Sequence, residues 1–304
     1  MKWRKLGRVY QPDGALWWAR THAFLPTAYY MPGGPLRIYY TGLDEMQFGR
    51  VGFVDLDPTD PTRILGYSRE PVLDLGSLGA FDDSGVNASA IVKDGSRLLM
   101  YYIGWQRSER VPYMLFSGLA DSPDGTAPFQ RRSRVPVLDR TEREPYSRSA
   151  PYVLREGGRM RMWYWTCVEW TREGDWVHYN NVIMHAQSVD GVTWVSDPTP
   201  CITVDFHEDY SAGRPWVMRD GTRYRMWYAI RGKTAPYRIG YAESADGCEW
   251  VRMDADAGID RSAHGWDSEM ICYPSVVDVG DRRFLVYNGN GHGKTGFGVA
   301  ELVG

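Results

Sequence analysis

The chain has 304 residues, with 35 Lys and Arg set against 38 Asp and Glu and a net charge of −3. That balance excludes the basic footprint of a nucleic-acid binder, and no apolar run approaches the length of a membrane span. Hydrophobic residues make up 43% and aromatics 14%, including 13 Trp and 20 Tyr, enough bulk to fill seams between packed sheets.

An aromatic-rich strand recurs along the whole length. Tyr39-Tyr40, Tyr101-Tyr102, Trp163-Tyr164, Trp227-Tyr228 and Val286-Tyr287 lie 62, 62, 64 and 59 residues apart. Counted back thirteen positions from each second member stand Thr27, Ser89, Pro151, Pro215 and Pro274, each inside a shorter apolar run. A period near sixty held over five copies indicates one supersecondary unit, repeated.

The first unit places strands around Thr27 and at Tyr39-Tyr40. In the second, residues 89–92, 98–102 and 113–120 read as strands, and Asp124-Gly125 turns the chain toward a fourth around Phe129. The third repeats this with 151–154, 161–164 and 183–188, then Asp190-Gly191 and Trp194. The fourth is the clearest. A strand at 214–218 and a turn at 219–222 lead into the alternating, aromatic run 223–230 (RYRMWYAI). A polar loop at 231–236 follows, then a strand at 237–243, Asp246-Gly247 and a last strand around Trp250. Asp-Gly between such runs signals a hairpin, because the turn needs positive φ at its central residues. The fifth unit has three clear strands and ends near Ala300, so a strand from the N-terminal segment is expected to complete it and remove an open edge.

Four antiparallel strands per unit predict an all-β, five-bladed β-propeller, one domain over residues 1–304, with a central axial site. Helical periodicity longer than a turn or two is lacking. Cys167, Cys201, Cys248 and Cys272 form no CxxC pair, which predicts reduced thiols in a cytoplasmic protein and no zinc set. No apolar stretch follows residues 1–7, so no secretory leader is expected.

The loops feeding the innermost strands of a propeller crowd one mouth, so the repeat register names candidate site residues. Eighteen positions before each reference tyrosine lie His22, Ser84, Tyr146, Tyr210 and Glu269. One or two positions earlier lie Asp82-Asp83, Glu144-Pro145, Glu208-Asp209 and Asp267-Ser268. Four blades thus offer a carboxylate, with Arg148 and Arg214 slightly deeper. Longer loops add Asp44, Glu45, residues 105–110 and 169–178, His292 and Lys294. Carboxylates converging with aromatics and arginines suit a carbohydrate: aromatic faces cover sugar CH surfaces, charged groups bond hydroxyls, and two carboxyls serve glycosidic cleavage. Asp83, Glu269 and Glu144 are the candidate catalytic acids. Glu269 leads into an apolar strand, where burial would raise its pKa. His22, Asp44, Ser84, Arg148, Asp209, Arg214, Asp267, His292 and Lys294 are the candidate substrate ligands. No metal ligand set is assigned, no cofactor is expected, and an axial ion is left open.

Two short patterns are read as folding elements. Residues 188–194 (SVDGVTW) and 244–250 (SADGCEW) resemble the Asp-box of sialidases, one residue shorter between Asp and Gly. The glycine-rich run 288–296 contains Gly-Lys-Thr, but a strand follows it, so a phosphate-binding P-loop is rejected.

The repeat style, notably RMWYAI followed by YRIGYAESADGCEW, resembles the five-bladed glycosidase superfamily of the family 43 and 32 furanosidases and family 130 mannoside phosphorylases. The nearest likeness is to family-43-like cytoplasmic glycosyl hydrolases. The resemblance implies an axial carbohydrate site. It matches His22 to the position of the family 43 base, Asp82 or Asp83 to a second Asp, and Glu144 to the acid. The invertase-type Asn-Asp-Pro-Asn-Gly string is absent, and Glu144-Pro145 keeps part of the family 130 Glu-Asp-Pro string. The expected function is a glycoside hydrolase acting on a small glycoside or sugar conjugate. The alternatives are a phosphorylase or transferase using Arg148, Arg214, His292 and Lys294 for phosphate, or a non-catalytic sugar-binding propeller. The expected partner is a small carbohydrate, with neither nucleic acid nor membrane.

Overall fold

The computed structural model describes all 304 residues. Its strands fall into five four-stranded antiparallel units in chain order. Strand β1 (Trp3–Tyr10) is set aside by the chain at the start. The first unit is β2 (Thr21–Tyr30), β3 (Leu36–Leu43), β4 (Gly49–Leu56) and β5 (Ile64–Tyr67). The second is β6 (Gly85–Asp94), β7 (Arg97–Arg107), β8 (Tyr113–Ser122) and β9 (Gln130–Arg131). The third is β10 (Arg148–Glu156), β11 (Arg159–Glu173), β12 (Trp176–Ser188) and β13 (Val195–Ser196). The fourth is β14 (Asp209–Asp220), β15 (Arg223–Gly232), β16 (Arg238–Ser244) and β17 (Val251–Arg252). The fifth is β18 (Cys272–Val279), β19 (Arg282–Asn288) and β20 (Phe297–Leu302), and β1 pairs antiparallel with β20 to complete it, as the repeat predicts. The innermost strands β2, β6, β10, β14 and β18 touch in cyclic order, with β18 returning to β2. That ring is the propeller. No helix is long and apolar enough to cross a membrane.

The expected loop at 169–178 is instead the tip of the long β11–β12 hairpin, with Gly174 at φ +60° making the turn. The two arms stay paired out to Glu173 and Trp176, with Trp170 and Tyr179 facing each other across them.

The Asp-Gly turns fasten the first four units to one another at three seams. Ser188 Oγ accepts the amides of Asp190 and Gly191, and Asp190 Oδ1 accepts those of Val192 and Thr193. The turn glycine then offers its carbonyl across the seam. Tyr39 Oη donates to Gly125 O (3.0 Å), Tyr101 Oη to Gly191 O (2.8 Å), and Trp163 Nε1 to Gly247 O (2.8 Å). Each donor directly precedes a reference tyrosine. At Gly125, φ is +75° and a Cβ would lie 2.3 Å from Tyr39 Oη, so only glycine serves. Trp227 is the fourth in this series, but the fifth unit ends in β1 and has no such turn. Its indole packs edge-on against Trp3 at 6.1 Å, and its Nε1 has no partner.

Candidate functional site

All five innermost strands carry a bulge at the same level. In four of them the residue before a proline sits in the left-handed region: Leu25 (φ +55°), Ala150 (+50°), Arg214 (+54°) and Tyr273 (+56°). Such residues are strained, and a bulge re-aims the side chain it carries. All four line one cavity on the axis, of ≈ 440 Å³.

The cavity wall is largely aromatic. Trp105 comes from β7, Trp165 from β11, Tyr179 from β12 and Tyr273 from β18; Tyr113 opens β8, and Tyr237 ends the loop before β16. Trp165 and Tyr179 stack face to face at 5.9 Å. Burial raises the pKa of Tyr113, Tyr237 and Tyr273, so these hydroxyls stay protonated. The polar groups are few: Asn87, Asn181, Ser211, Arg214, Arg231, Gln47 and His292. Asn181 is buried and its Oδ1 has no partner. Arg214 crosses the axis from β14, donating to Ser89 O and Thr27 Oγ1 at 2.8 Å each. Arg231 lies against the faces of Tyr179 and Tyr210 and reaches His178 Nδ1 at 3.0 Å. His292 packs edge-on to Tyr237 at the rim in a turn (Asn290–Gly293); burial, then Arg231 and His22, push its pKa down. His22 stands near it, lowered by burial and by Lys294.

No Asp or Glu lines this cavity. The register acids are not brought together on the axis; most are bound within their own blades. Asp82 accepts from Tyr102 Oη and pairs with Arg131. Glu144 accepts from Tyr164 Oη and pairs with Arg148. Asp267 accepts from Tyr287 Oη and pairs with Lys5. Arg148, expected to lie deeper in the funnel, faces outward with Glu144 into a depression of ≈ 560 Å³ on the outer strands of the third unit. The buried charged groups of that depression, Arg148 and Glu144, already neutralise one another. Asp83 accepts from Gly79 N and Ser84 Oγ, shaping its own loop. Asp44 caps the β3–β4 loop and pairs with Arg50, and Asp209 pairs with Arg238.

Glu269 is exposed, contrary to the burial expected of it, although Met270 to Cys272, which follow it into β18, are buried. It lines a shallow depression that shares Arg231 and Tyr237 with the axial cavity. Of the named residues, Arg214 and His292 line the cavity; His22, Lys294 and Glu269 stand at or beside its mouth. The register of acids does not single out Tyr273 or the aromatic wall, although the proline that follows Leu25, Ala150, Arg214 and Tyr273 marks the level of the site in the repeat.

His185, Asp197 and Cys248 form a second cluster whose ligand atoms lie within 4.8 Å of one another. The imidazole is already satisfied. Its Nδ1–H donates to Asp197 Oδ2 (2.8 Å), and its Nε2 accepts from Arg161 Nε (3.1 Å). With a guanidinium beside it, the cluster reads as a hydrogen-bonded seam between the third and fourth units.

No protein-family profile matches the chain. Over 302 residues it is 43% identical to the uncharacterized protein Rv1502 of Mycobacterium tuberculosis strain H37Rv, covering 99% of each sequence. It belongs to that protein's family. The uncharacterized protein MT1551 of M. tuberculosis strain CDC 1551 is also 43% identical over 99% of each sequence. Among solved structures, a glycosyl hydrolase from Bacteroides ovatus superposes with a TM-score of 0.75 at 14% identity, over 98% of this protein and 93% of that one. A thermostable family-43 glycoside hydrolase gives 0.72 at 17% identity over 97% and 93%. A structure from the GH130 family of mannoside phosphorylases, reported to contain glycoside hydrolases that target beta-1,2 mannosidic linkages in Candida mannan, gives 0.71 at 14% over 98% and 93%. The shared property at these identities is the fold, that of the propeller glycoside hydrolases.

Proposed function

We propose that the protein is a glycosidase-like enzyme that holds a small glycoside or sugar conjugate in the axial cavity, the whole chain acting as one propeller domain. The observation that carries this reading is the cavity's make-up: stacked aromatic faces with a few buried hydrogen-bonding groups, at the place where all five units converge. Flat apolar walls suit the CH faces of a sugar ring, and sparse fixed polar groups select among hydroxyls. The free Oδ1 of Asn181 would accept from one of them.

Hydrolysis by two carboxyls facing one bond requires an opposed pair. Asp83 and Glu144 are turned to other tasks and no second carboxyl lines the cavity, so Glu269, beside the mouth, is the candidate acid that protonates the leaving oxygen, with water adding to the anomeric carbon and giving up its proton to solvent. The test combines binding with turnover. Quenching of tryptophan fluorescence by a panel of monosaccharides and nitrophenyl glycosides should saturate, and Trp165→Ala should weaken it by at least about tenfold. Glu269→Gln should abolish release of nitrophenol while leaving binding intact. Binding without release in the wild type would make the protein a sugar-binding propeller. No saturable binding by any glycoside would end the reading.

A further inference from the structure

The floor of the axial cavity carries a charge that the protein leaves unneutralised. Arg214 is 2% exposed and forms no ion pair, while every other buried arginine of the chain has a carboxylate partner. Its guanidinium meets only neutral acceptors: Ser89 O, Ser89 Oγ, Thr27 Oγ1 and Pro26 O. Its Nε–H has no protein acceptor at all. Burial lowers its pKa, and the only groups whose charge could offset this are the Tyr152 and Tyr273 hydroxyls, themselves kept protonated by burial. An arginine so placed still holds its proton at neutral pH. A buried cation without a counter-ion is costly to a fold, and here the cost falls on a residue that is also in the left-handed region. Neutral hydrogen-bonding residues would hold Ser89 and Thr27 together without the charge penalty. Arg231, higher in the same wall, also lacks a carboxylate partner and rests on aromatic faces and His178.

We propose that the axial ligand carries an anionic oxygen group (carboxylate, phosphate or sulfate) that seats on Arg214 at the cavity floor. Planar guanidinium donors match such groups, and the aromatic wall above would cover the body of the ligand. That the body is a sugar rests on the carbohydrate reading above; that the ligand is anionic rests on Arg214.

Calorimetric titration of the full chain at low ionic strength should use matched probes: glucose with glucuronate, galactose with galacturonate, glucose with glucose 6-phosphate, and inorganic phosphate and sulfate alone. At least one anionic sugar should bind about tenfold or more tighter than its neutral counterpart, as expected of a charge-assisted hydrogen bond in a buried site. Arg214→Met should erase that preference while melting no lower than the unliganded wild type, because a purely structural arginine would be missed by the fold. Should Arg214→Met fail to fold, Arg214→Lys keeps the charge and should reduce the preference by losing the planar donor pair. Inorganic phosphate or sulfate binding at Arg214 with no sugar binding supports the anion and removes the carbohydrate reading. Neutral sugars binding as tightly as their anionic counterparts, with Arg214→Met unaltered, overturns the anion and keeps the carbohydrate. No anion-dependent binding across the whole set overturns it as well.

Discussion

The Tyr102 hydroxyl donates a 2.9 Å hydrogen bond to Asp82, a carboxylate twenty positions earlier in the chain. Glu144 and Tyr164 stand in the same relation at 2.9 Å, and Asp267 and Tyr287 at 3.0 Å, each pair joined by a basic residue. The acids that recur before the inner strands are therefore tied to the tyrosines that define the repeat. In the fourth unit Asp254, from the far end of the blade, takes the place of the upstream acid and accepts from Tyr228 Oη at 2.5 Å. The motif is a staple between the loop entering a blade and the second strand of that blade.

Removing the buried member should be felt as stability. Asp82→Ala leaves the Tyr102 hydroxyl and Arg131 without their acceptor, and should cost about 2–3 kcal/mol. Asp83→Ala, on the outer side of the same loop, should cost less than about 1 kcal/mol. Urea denaturation of the two variants measures both. Equal losses, or a larger one at Asp83, would mean that the staple does not hold the blade.

How much of this could be read in the chain depends on what fixes each feature. Strands and Asp-Gly turns are set by local patterning, so the five units, their order and the closing role of a strand from the N-terminal segment were legible. The site was legible only in part. A carboxylate before an inner strand has the same sequence signature whether it faces the axis or its own tyrosine, and the path of the loop decides. Arg214 and His292 reach the cavity; Asp83, Glu144 and Asp267 do not. The tyrosines and tryptophans of the wall look like any strand aromatics in sequence, since Tyr113 at the start of β8 and Tyr237 just before β16 arrive there only after the blades pack.

Trp163 and Trp227 occupy equivalent positions and both are wholly buried, yet only Trp163 has an acceptor across the seam. Replacing each with Phe removes similar volume. Trp163→Phe also removes a hydrogen bond, so it should destabilise by about 1 kcal/mol more than Trp227→Phe. Matched chemical denaturation curves would show it. A larger loss at Trp227 would contradict the idea that the Asp-Gly turns lock the blades.

Hydrogen bonds from the Thr193 and Val192 amides, and then from Ser188, draw the Asp190 carboxyl down to about 2. A carboxyl lowered on folding stabilises the protein fully above its unfolded pKa, near 3.9, and that contribution fades as pH falls toward about 2. Asp190→Ala should therefore melt lower than the wild type at pH 5 and above, and the gap should close between about pH 4 and pH 2. A gap independent of pH across that range would mean that the turn draws nothing from the ionised carboxylate.

His185 makes a test of the same sign at higher pH. Burial lowers its pKa foremost; Asp197 works against the shift and Arg161 with it. Since a carboxylate only accepts, the ring must carry its proton on Nδ1 toward Asp197, leaving Nε2 to accept from Arg161. A base whose pKa falls on folding binds its proton more readily in the unfolded chain, so stability is complete above the unfolded value near 6.5 and declines as pH drops below it. Nitrogen NMR of the imidazole at pH 6 should show a neutral ring with Nδ1 protonated, and the melting temperature should fall between pH 7 and pH 5.5. Stoichiometric zinc should leave that temperature unchanged, because both ring nitrogens are engaged and a metal would have to displace a guanidinium to reach one. Protonation of His185 at or above pH 6.5 would show that Asp197 outweighs burial, and a zinc-dependent rise in melting temperature would show that the seam between the third and fourth units binds metal instead of serving as a structural contact only.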